Sequence, residues 1–450
     1  MSVIDRKRLD KEVFNIDTTG IRKGRYSDAY FCNIVRILEA LSKEGYTFAG
    51  ESDLREIDCN AVKNGDLRVE MQFFTRRRPF SLAAGVDEAL AIIEECTGDF
   101  DDSGRFRKTL DELEVEAIHD GEFVDYGGDP EDVRPVLKIR GRYRDFAGLE
   151  TPVLGVLSEA TRLATNIYNV LVAAGGKDVM FFPARFAHYK VQALHGYAYA
   201  LAVQVYNRKY GKNSRAIVST DEQGRWWGGQ GGGTVAHASI ACFLGDTAET
   251  MMQFSRIMPV EVPRIALVDF HNDCIGETLA VMGKMFPAYL ELVRAGKTDE
   301  AAKYKLFAVR LDTSGDMKDV SISPVGDKKY DYGVNPRLVE AVRRAMDNAY
   351  KEWNLPTQAL DVAREWCRQV KIVVTGGFNV KKISWFEELG VPVDIYGVGS
   401  SLLENSSESG TNNDYTADIV RVQINGKWYP MNKVGRRACD NPSLSTVKSK

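Results

Sequence analysis

From about residue 178 onward, short apolar runs alternate with helix-length amphipathic segments. The runs cover residues 179–182, 216–219, 265–270, 307–312, 371–375 and 393–397, and helical spacing recurs over 188–207, 236–258, 275–295, 336–353 and 381–389. Six strand–helix units of this kind predict a parallel sheet, closed or broken into a barrel or laid open and doubly wound. Upstream the pattern is mixed. Residues 69–74 and 136–139 read as strands, and 31–42 as a helix. A second helix is expected over 81–95, where Leu82, Val86, Leu90 and Ile93 recur at three- and four-residue spacings. A long helix follows, with Thr151 as N-cap, Pro152 at the first helical position and Gly175-Gly176 closing it. Near the end, 419–424 and 427–431 flank Asn425-Gly426, a hairpin turn signal, and this hairpin is expected to pack on the N-terminal domain. The organisation expected is an arm (1–25), an α+β domain (26–150), an α/β barrel (151–410) and a C-terminal β segment (411–450).

The residues at or just after the ends of the apolar runs are chemically loaded. They include Arg185, Thr220-Asp221, Asp269, Asp312 to Gly315, Gly376-Gly377 and Gly397 to Ser400. Function in parallel α/β folds collects at the carboxyl ends of strands. A barrel is favoured over an open sheet because the last two strand ends are both glycine-rich, where barrels often bind phosphate.

Composition narrows the partners. The chain has 450 residues, enough for two or three domains, and a formal net charge of −4, which gives no support for a nucleic-acid partner. The 7 cysteines form no CxxC pair, so free thiols in a reducing compartment are expected. Neither a signal-like N-terminus nor a bilayer-length apolar run is present in the sequence, and the expectation is a soluble, cytoplasmic protein without membrane partners.

Two stretches carry candidate chemistry. In Gly231-Gly232-Gly233-Thr234-Val235-Ala236-His237, one of 5 histidines follows a glycine-rich loop. Such a loop admits close approach of an anion, and a histidine there serves as acid, base or phosphoryl acceptor; a plain loop leading into a helix is the competing reading. In Arg310-Leu311-Asp312-Thr313-Ser314-Gly315-Asp316, an arginine and a carboxylate lie two residues apart, on one side of a strand. Asp312 can accept from two sugar hydroxyls with Arg310 close to a charged oxygen; a simple strand-end ion pair followed by a turn fits the same residues. The Arg76-Arg77-Arg78 run reads as solvated surface rather than as an anion clamp. His188 reads as a helix-face residue, and Trp226-Trp227 lies in a glycine-rich stretch that is either a lid or a loop insertion.

Nine segments in order make a more specific signal. They are Ser27-Asp28-Ala29-Tyr30, Leu149-Glu150-Thr151-Pro152, Phe182-Pro183-Ala184-Arg185, Gly233 to His237, Leu267-Val268-Asp269, Arg310 to Asp316, Thr375-Gly376-Gly377, Gly397-Val398-Gly399 and Lys433-Val434-Gly435-Arg436. In these the chain resembles nicotinate phosphoribosyltransferase, of the type II phosphoribosyltransferase family with nicotinamide and quinolinate branches. The resemblance implies an incomplete or irregular α/β barrel, with an α+β N-terminal domain joined by the C-terminal strands. It also implies a reaction: nicotinate and phosphoribosyl pyrophosphate give nicotinate mononucleotide and pyrophosphate, in NAD synthesis or salvage, coupled to ATP hydrolysis.

By that resemblance His237 is the phosphohistidine, and His237, Asp269, Arg310 and Asp312 are catalytic. Tyr30, Phe182, Arg185, Thr234, Ser314 and Gly315 meet substrate, with Phe182 stacking on the pyridine ring. Thr375, Gly376, Gly377, Gly397, Gly399 and Ser400 cradle the 5′-phosphate, and Asp269 and Asp312 hold Mg2+, directly or through water. A homodimer is implied, with Asp28 and Tyr30 entering the neighbouring site. Pro183 replaces the family's usual glycine, and Ser219-Thr220-Asp221 lies near the position that reads the pyridine substituent, so nicotinamide stays open as a substrate. A non-catalytic phosphoribose-binding barrel also fits the pattern. A Schiff-base lyase fits less well, because no lysine stands immediately after a strand.

Overall fold

The computed structural model describes residues 5, 7–54, 57–233 and 235–447. The chain forms two compact units. One comprises residues up to 168, 197–205 and those from 404; the other comprises 169–196 and 206–403.

The first unit is built on a 6-stranded antiparallel sheet, ordered Lys427–Pro430, Tyr415–Ile424, Arg68–Thr75, Leu137–Arg142, Glu114–Ala117 and Ser445–Thr446. The central strand Arg68–Thr75 is buried over almost its whole length. Val69, Met71 and Phe73 enter the apolar core. On the opposite face the polar residues are satisfied: Glu70 accepts from Arg140 Nε at 2.6 Å and Arg421 Nη1 at 3.2 Å. The C-terminal hairpin turns at Asn425 and Gly426 with φ of 48° and 78°. These left-handed values suit the two-residue turn that the Asn-Gly signal predicts.

The helix expected over 81–95 is shorter. Phe80–Leu82 is a strand paired with Phe123–Asp125, and the helix runs Val86–Cys96. Gly85, with φ of 83°, separates them, and a Cβ there would lie 2.9 Å from Ala160 Cβ. Thr151 is not the N-cap of the long helix, which starts one residue earlier, Glu150–Ala173. Its hydroxyl instead accepts from the Asp28 N–H at 3.0 Å and donates to Asp28 Oδ2 at 3.1 Å. The Arg76–Arg78 run is a solvated face only in part, with Arg78 exposed and Arg76 partly buried. Arg77 is buried, donates to Asn166 Oδ1 at 2.7 Å, and burial holds its pKa down to about 10.

The second unit contains a 6-stranded parallel sheet: β1 (Asp178–Phe181), β2 (Ala216–Val218), β3 (Ile265–Leu267), β4 (Ala308–Leu311), β5 (Lys371–Val374) and β6 (Ile395–Val398). The spatial order is β3-β4-β5-β6-β1-β2. The last strand pairs with the first, as in a barrel, while the named strands β2 and β3 do not pair, so the barrel is incomplete there. One cluster draws a residue from every strand: Met180, Ile217, Ile265, Ala308, Val373 and Ile395. This is the inward half of the two-residue alternation.

Connecting helices include Gln192–Tyr210, Cys274–Arg294, Pro336–Asn348 and Val380–Glu388. His188 therefore lies ahead of its expected helix; its Nδ1 accepts from the Lys190 N–H at 3.2 Å. The single helix expected over 236–258 is two, His237–Cys242 and Thr247–Ile257. Leu244 and Gly245 break it with φ of 56° and 90°, and Asp246 caps the second piece by accepting from Glu249 N–H at 2.8 Å. A further helix, Thr357–Gln369, adds to those expected; it buries Ala359, Ala363, Trp366 and Cys367, at three- and four-residue spacings. Among the described residues, no helix is long and apolar enough to cross a membrane.

Candidate active site

The carboxyl ends of the barrel strands bring the catalytic candidates together. Arg310 lies within β4 and Asp312 just past it, on the same side because Leu311 between them points the other way into the buried layer. Beyond β3 the Val268 N–H donates to the Arg310 carbonyl at 3.2 Å, which keeps the following residue, Asp269, alongside β4. His237 opens its short helix at the barrel's unpaired edge, between β2 and β3 in the chain. Its Nε2 lies 2.9 Å from Asp269 Oδ1. The imidazole is 49% exposed and the carboxylate 7%, so an accessible ring is held by a buried anion.

Charge is finely opposed here. Burial pushes the Asp269 carboxyl up, His237 pulls it down and Asp312 adds repulsion. The Arg310 guanidinium is deeply buried, and burial lowers its pKa against the attraction of Asp312 and Asp269. Its Nη2 donates to the Val235 carbonyl at 3.2 Å and its Nη1 lies 3.9 Å from Asp312 Oδ2. Its Nε is buried without a hydrogen-bond partner among the described residues. A buried donor without a partner disfavours the ligand-free state and marks where an acceptor would be stabilised. Asp312 Oδ1 accepts from Thr375 Oγ1 at 2.6 Å, so the β5 end orients the β4 carboxylate.

The glycines divide by role. Gly376 and Gly377 adopt φ of 87° and 70°, a backbone turn that other residues resist. Gly397 is present for space: a Cβ there would lie 2.4 Å from Thr375 Cγ2 and 3.0 Å from Phe182 Cε2. Gly399 likewise makes room for Phe186, at 2.9 Å. Phe182, whose N–H donates to the Val398 carbonyl at 2.9 Å, lies against Gly397 at the top of the inner cluster. Arg185 is exposed, its guanidinium 4.9 Å from the Phe186 ring. Ser314, Gly315 and Ser400 are exposed, the first two in the loop after β4 and the third at the start of the turn Ser400–Leu403 after β6.

The glycine-rich loop before His237 departs from expectation. Gly231 makes a parallel bridge to Val218, and its N–H donates to Asp221 Oδ1 at 2.9 Å. The Gly232 N–H donates to the Val218 carbonyl at 2.8 Å. These two donors serve the fold rather than an anion. Thr234 lies outside the described residues. The Trp226-Trp227 stretch is packed: Trp226 is buried, and Trp227 Nε1 donates to the Gln223 carbonyl at 2.8 Å. Tyr30 and Asp28 belong to the first unit; Tyr30 is 62% exposed, and its hydroxyl donates to Asp28 Oδ2 at 3.1 Å. No group of three or more His, Cys, Asp or Glu among the described residues is arranged to hold a metal.

The chain thus holds an incomplete parallel barrel and an antiparallel unit, with an Asp–His pair and an Arg–Asp pair at the barrel's strand ends. The family profile described as quinolinate phosphoribosyl transferase, N-terminal domain, matches residues 56–161. The nicotinate phosphoribosyltransferase pncB1 of Mycobacterium tuberculosis is 24% identical over 378 residues, 81% of this chain and 71% of that protein. Among solved structures, nicotinate-nucleotide pyrophosphorylase from Pyrococcus furiosus matches with a TM-score of 0.60 at 24% identity, over 96% of this chain and 85% of that one. Human nicotinic acid phosphoribosyltransferase matches with a TM-score of 0.53 at 16% identity, over 88% and 75%. The chain is thus similar in sequence to a nicotinate phosphoribosyltransferase over most of its length and shares the fold of these enzymes.

Proposed function

We propose that the protein is a nicotinate phosphoribosyltransferase that couples nucleotide formation to ATP through His237. The observation that carries this reading is the exposed His237 ring held at 2.9 Å by the buried Asp269. With Nε2 facing the carboxylate, Nδ1 is the nitrogen that takes the phosphoryl group. Its lone pair attacks the γ-phosphorus of ATP, the bond to the ADP oxygen breaks, and ADP leaves. Asp269 stabilises the cationic ring as it forms. Water later cleaves the N–P bond and releases inorganic phosphate. While present, the phosphoryl group adds acceptor oxygens and charge beside the pyrophosphate end.

In the main reaction the C1′–O bond of phosphoribosyl pyrophosphate breaks, with the electron pair leaving on pyrophosphate. The pyridine nitrogen lone pair forms the new bond to C1′. Catalysis is positioning and electrostatics. Phe182 stacks on the pyridine, and Arg310 and Arg185 face its carboxylate or the phosphates. Asp312, fixed through Oδ1 by Thr375, accepts from ribose hydroxyls through Oδ2. Thr234, Ser314 and Gly315 line the substrate, and the Gly376-Gly377 turn with Gly397, Gly399 and Ser400 receives the 5′-phosphate.

Asp269 and Asp312 are mutually close carboxylates, and two carboxylates plus substrate phosphates fit a Mg2+ ion that keeps several waters. Bound there, the ion supplies positive charge to the departing pyrophosphate. A homodimer supplies Asp28 and Tyr30 to the neighbouring site; mixing Tyr30→Ala with His237→Ala chains then restores ATP-stimulated turnover that neither has alone, and absence of complementation rejects the shared site. The reaction is tested by pyrophosphate release with nicotinate, nicotinamide and quinolinate in parallel, with and without ATP. Release with nicotinate, stimulated by ATP, is expected; no release from nicotinate at saturating phosphoribosyl pyrophosphate and Mg2+ overturns the reading.

A further inference from the structure

The loops after β4 and β5 and the helix Val380–Glu388 border an open cleft of about 460 Å³. Lys328, Lys329, Lys381 and Lys382 line it, together with Gly377 and Trp385, and none of its described lining residues is acidic. Two carboxylates of this segment are engaged elsewhere: Asp331 is buried and accepts from Arg337 Nη1 at 3.0 Å, and Asp327 caps the short helix Lys328–Asp331 by accepting from the Lys329 N–H at 2.9 Å. The lysines have uncharged partners. Lys329 Nζ lies 4.0 Å from the centroid of the Trp385 ring. Lys382 Nζ donates to the Gly376 carbonyl at 3.2 Å and lies 4.2 Å from the Phe378 centroid.

Four like charges in one cleft, without a lining carboxylate, repel one another, and an entering anion relieves that repulsion. Burial lowers the Lys382 pKa to about 8, consistent with an ammonium that lacks a full counter-charge. Point-charge ammonium groups suit a phosphate, whereas the planar fork that favours a carboxylate is absent from the lining. Gly315, also on the lining, and Gly377 have open space where a Cβ would stand, so the backbone is approachable there.

We propose that this lysine cleft is a binding subsite for a phosphate group, adjoining the Gly376-Gly377 turn. Two sources share that chemistry: the 5′-phosphate end of the phosphoribosyl substrate, and a separate inorganic phosphoanion. Only the first rests on the proposed reaction.

The test uses the full chain and the exposed pair, Lys329→Gln with Lys381→Gln, which leaves the Lys382 contact to Gly376 intact. Ribose 5-phosphate and inorganic triphosphate are titrated by calorimetry at one low ionic strength, with nicotinate as control. The double variant is expected to weaken phosphate-ligand binding about tenfold, the scale of losing charge-assisted hydrogen bonds, while nicotinate affinity is unchanged. Displacement by phosphoribosyl pyrophosphate assigns the subsite to the substrate's own phosphate; simultaneous binding assigns it to a separate phosphoanion. Equal affinity of wild type and variant for both phosphates, or no binding of either to wild type, overturns the proposal. If no pyridine acid yields pyrophosphate but phosphate affinity still falls in the variant, the proposed reaction fails and the subsite stands.

Discussion

Gly397→Ala places one methyl group where the barrel has no room for it. The added Cβ would stand 2.4 Å from Thr375 Cγ2, and 3.0 and 3.1 Å from Cε2 and Cδ2 of Phe182. Thr375 cannot turn away cheaply. It is buried and β-branched, and its hydroxyl is committed to Asp312 Oδ1 at 2.6 Å and the Leu311 carbonyl at 3.2 Å. Either that hydroxyl loses its partners or the Phe182 ring shifts, and both outcomes reach the site. Overpacking of this kind costs about 1–3 kcal/mol, which is to be read as a lowered urea midpoint.

The second variant in the series is Gly397→Ala with Thr375→Ser, which deletes the colliding Cγ2 but keeps the hydroxyl. It should recover much of the lost stability and the nicotinate KM. Gly377→Ala is the contrasting control. Nothing lies within 4 Å of its added Cβ, so only the φ of 70° is strained, at about 1–2 kcal/mol. A Gly397→Ala protein as stable as wild type with an unchanged nicotinate KM, or a double variant with no recovery, refutes the close-packing account.

Further outcomes are expected from the same geometry. His237→Ala should abolish ATP stimulation while leaving ATP-independent pyrophosphate release; unchanged coupling in a rapid ATP-hydrolysis assay removes the assigned role. Thr375→Val, by removing the donor to Asp312, should raise KM for phosphoribosyl pyrophosphate more than for nicotinate, and lower stability by about 0.5–1.5 kcal/mol in urea melts. Stability should also fall with rising pH. Burial, with Asp120 and Glu159 adding repulsion, raises the Glu88 carboxyl from 4.5 to about 8. Its contribution is fully present below the unfolded pKa of 4.5 and is lost as pH rises through the folded value of about 8. Urea midpoints at pH 5 and pH 8 should therefore differ less in Glu88→Gln than in wild type, and an equal difference argues against the buried acid.

The strands were legible because each carries a short, nearly continuous apolar run, the mark of a strand covered on both faces. The turn at Asn425-Gly426 was legible because its left-handed geometry selects those residues. The break at Leu244–Gly245 was not, since the apolar spacing runs on through it while Leu244 ends up 98% exposed. Arg77 looked solvated because its partner Asn166 lies far away in sequence. Lys382 carried no local signal at all, since the Gly376 carbonyl and the Phe378 ring reach it through a turn that periodicity does not describe.

The glycine-rich loop read as an anion cradle because a glycine run states only that the backbone is permissive. Which acceptors Gly231 and Gly232 meet is set by Asp221 and Val218 at the edge of the sheet.

By itself, the sequence determined the alternation of strand and helix, the chemistry gathered at strand ends, and the likeness of nine ordered segments to one family. Those follow from period, local turn preference and residue type, all of which act over a few residues. The tertiary structure alone decided that β6 closes on β1 while β2 and β3 stay apart, which puts His237 at the open edge within 2.9 Å of Asp269. It alone joined Thr375 to Asp312 and gathered four lysines into one cleft. Those pairings depend on strand order and register, through which residues distant in sequence become neighbours.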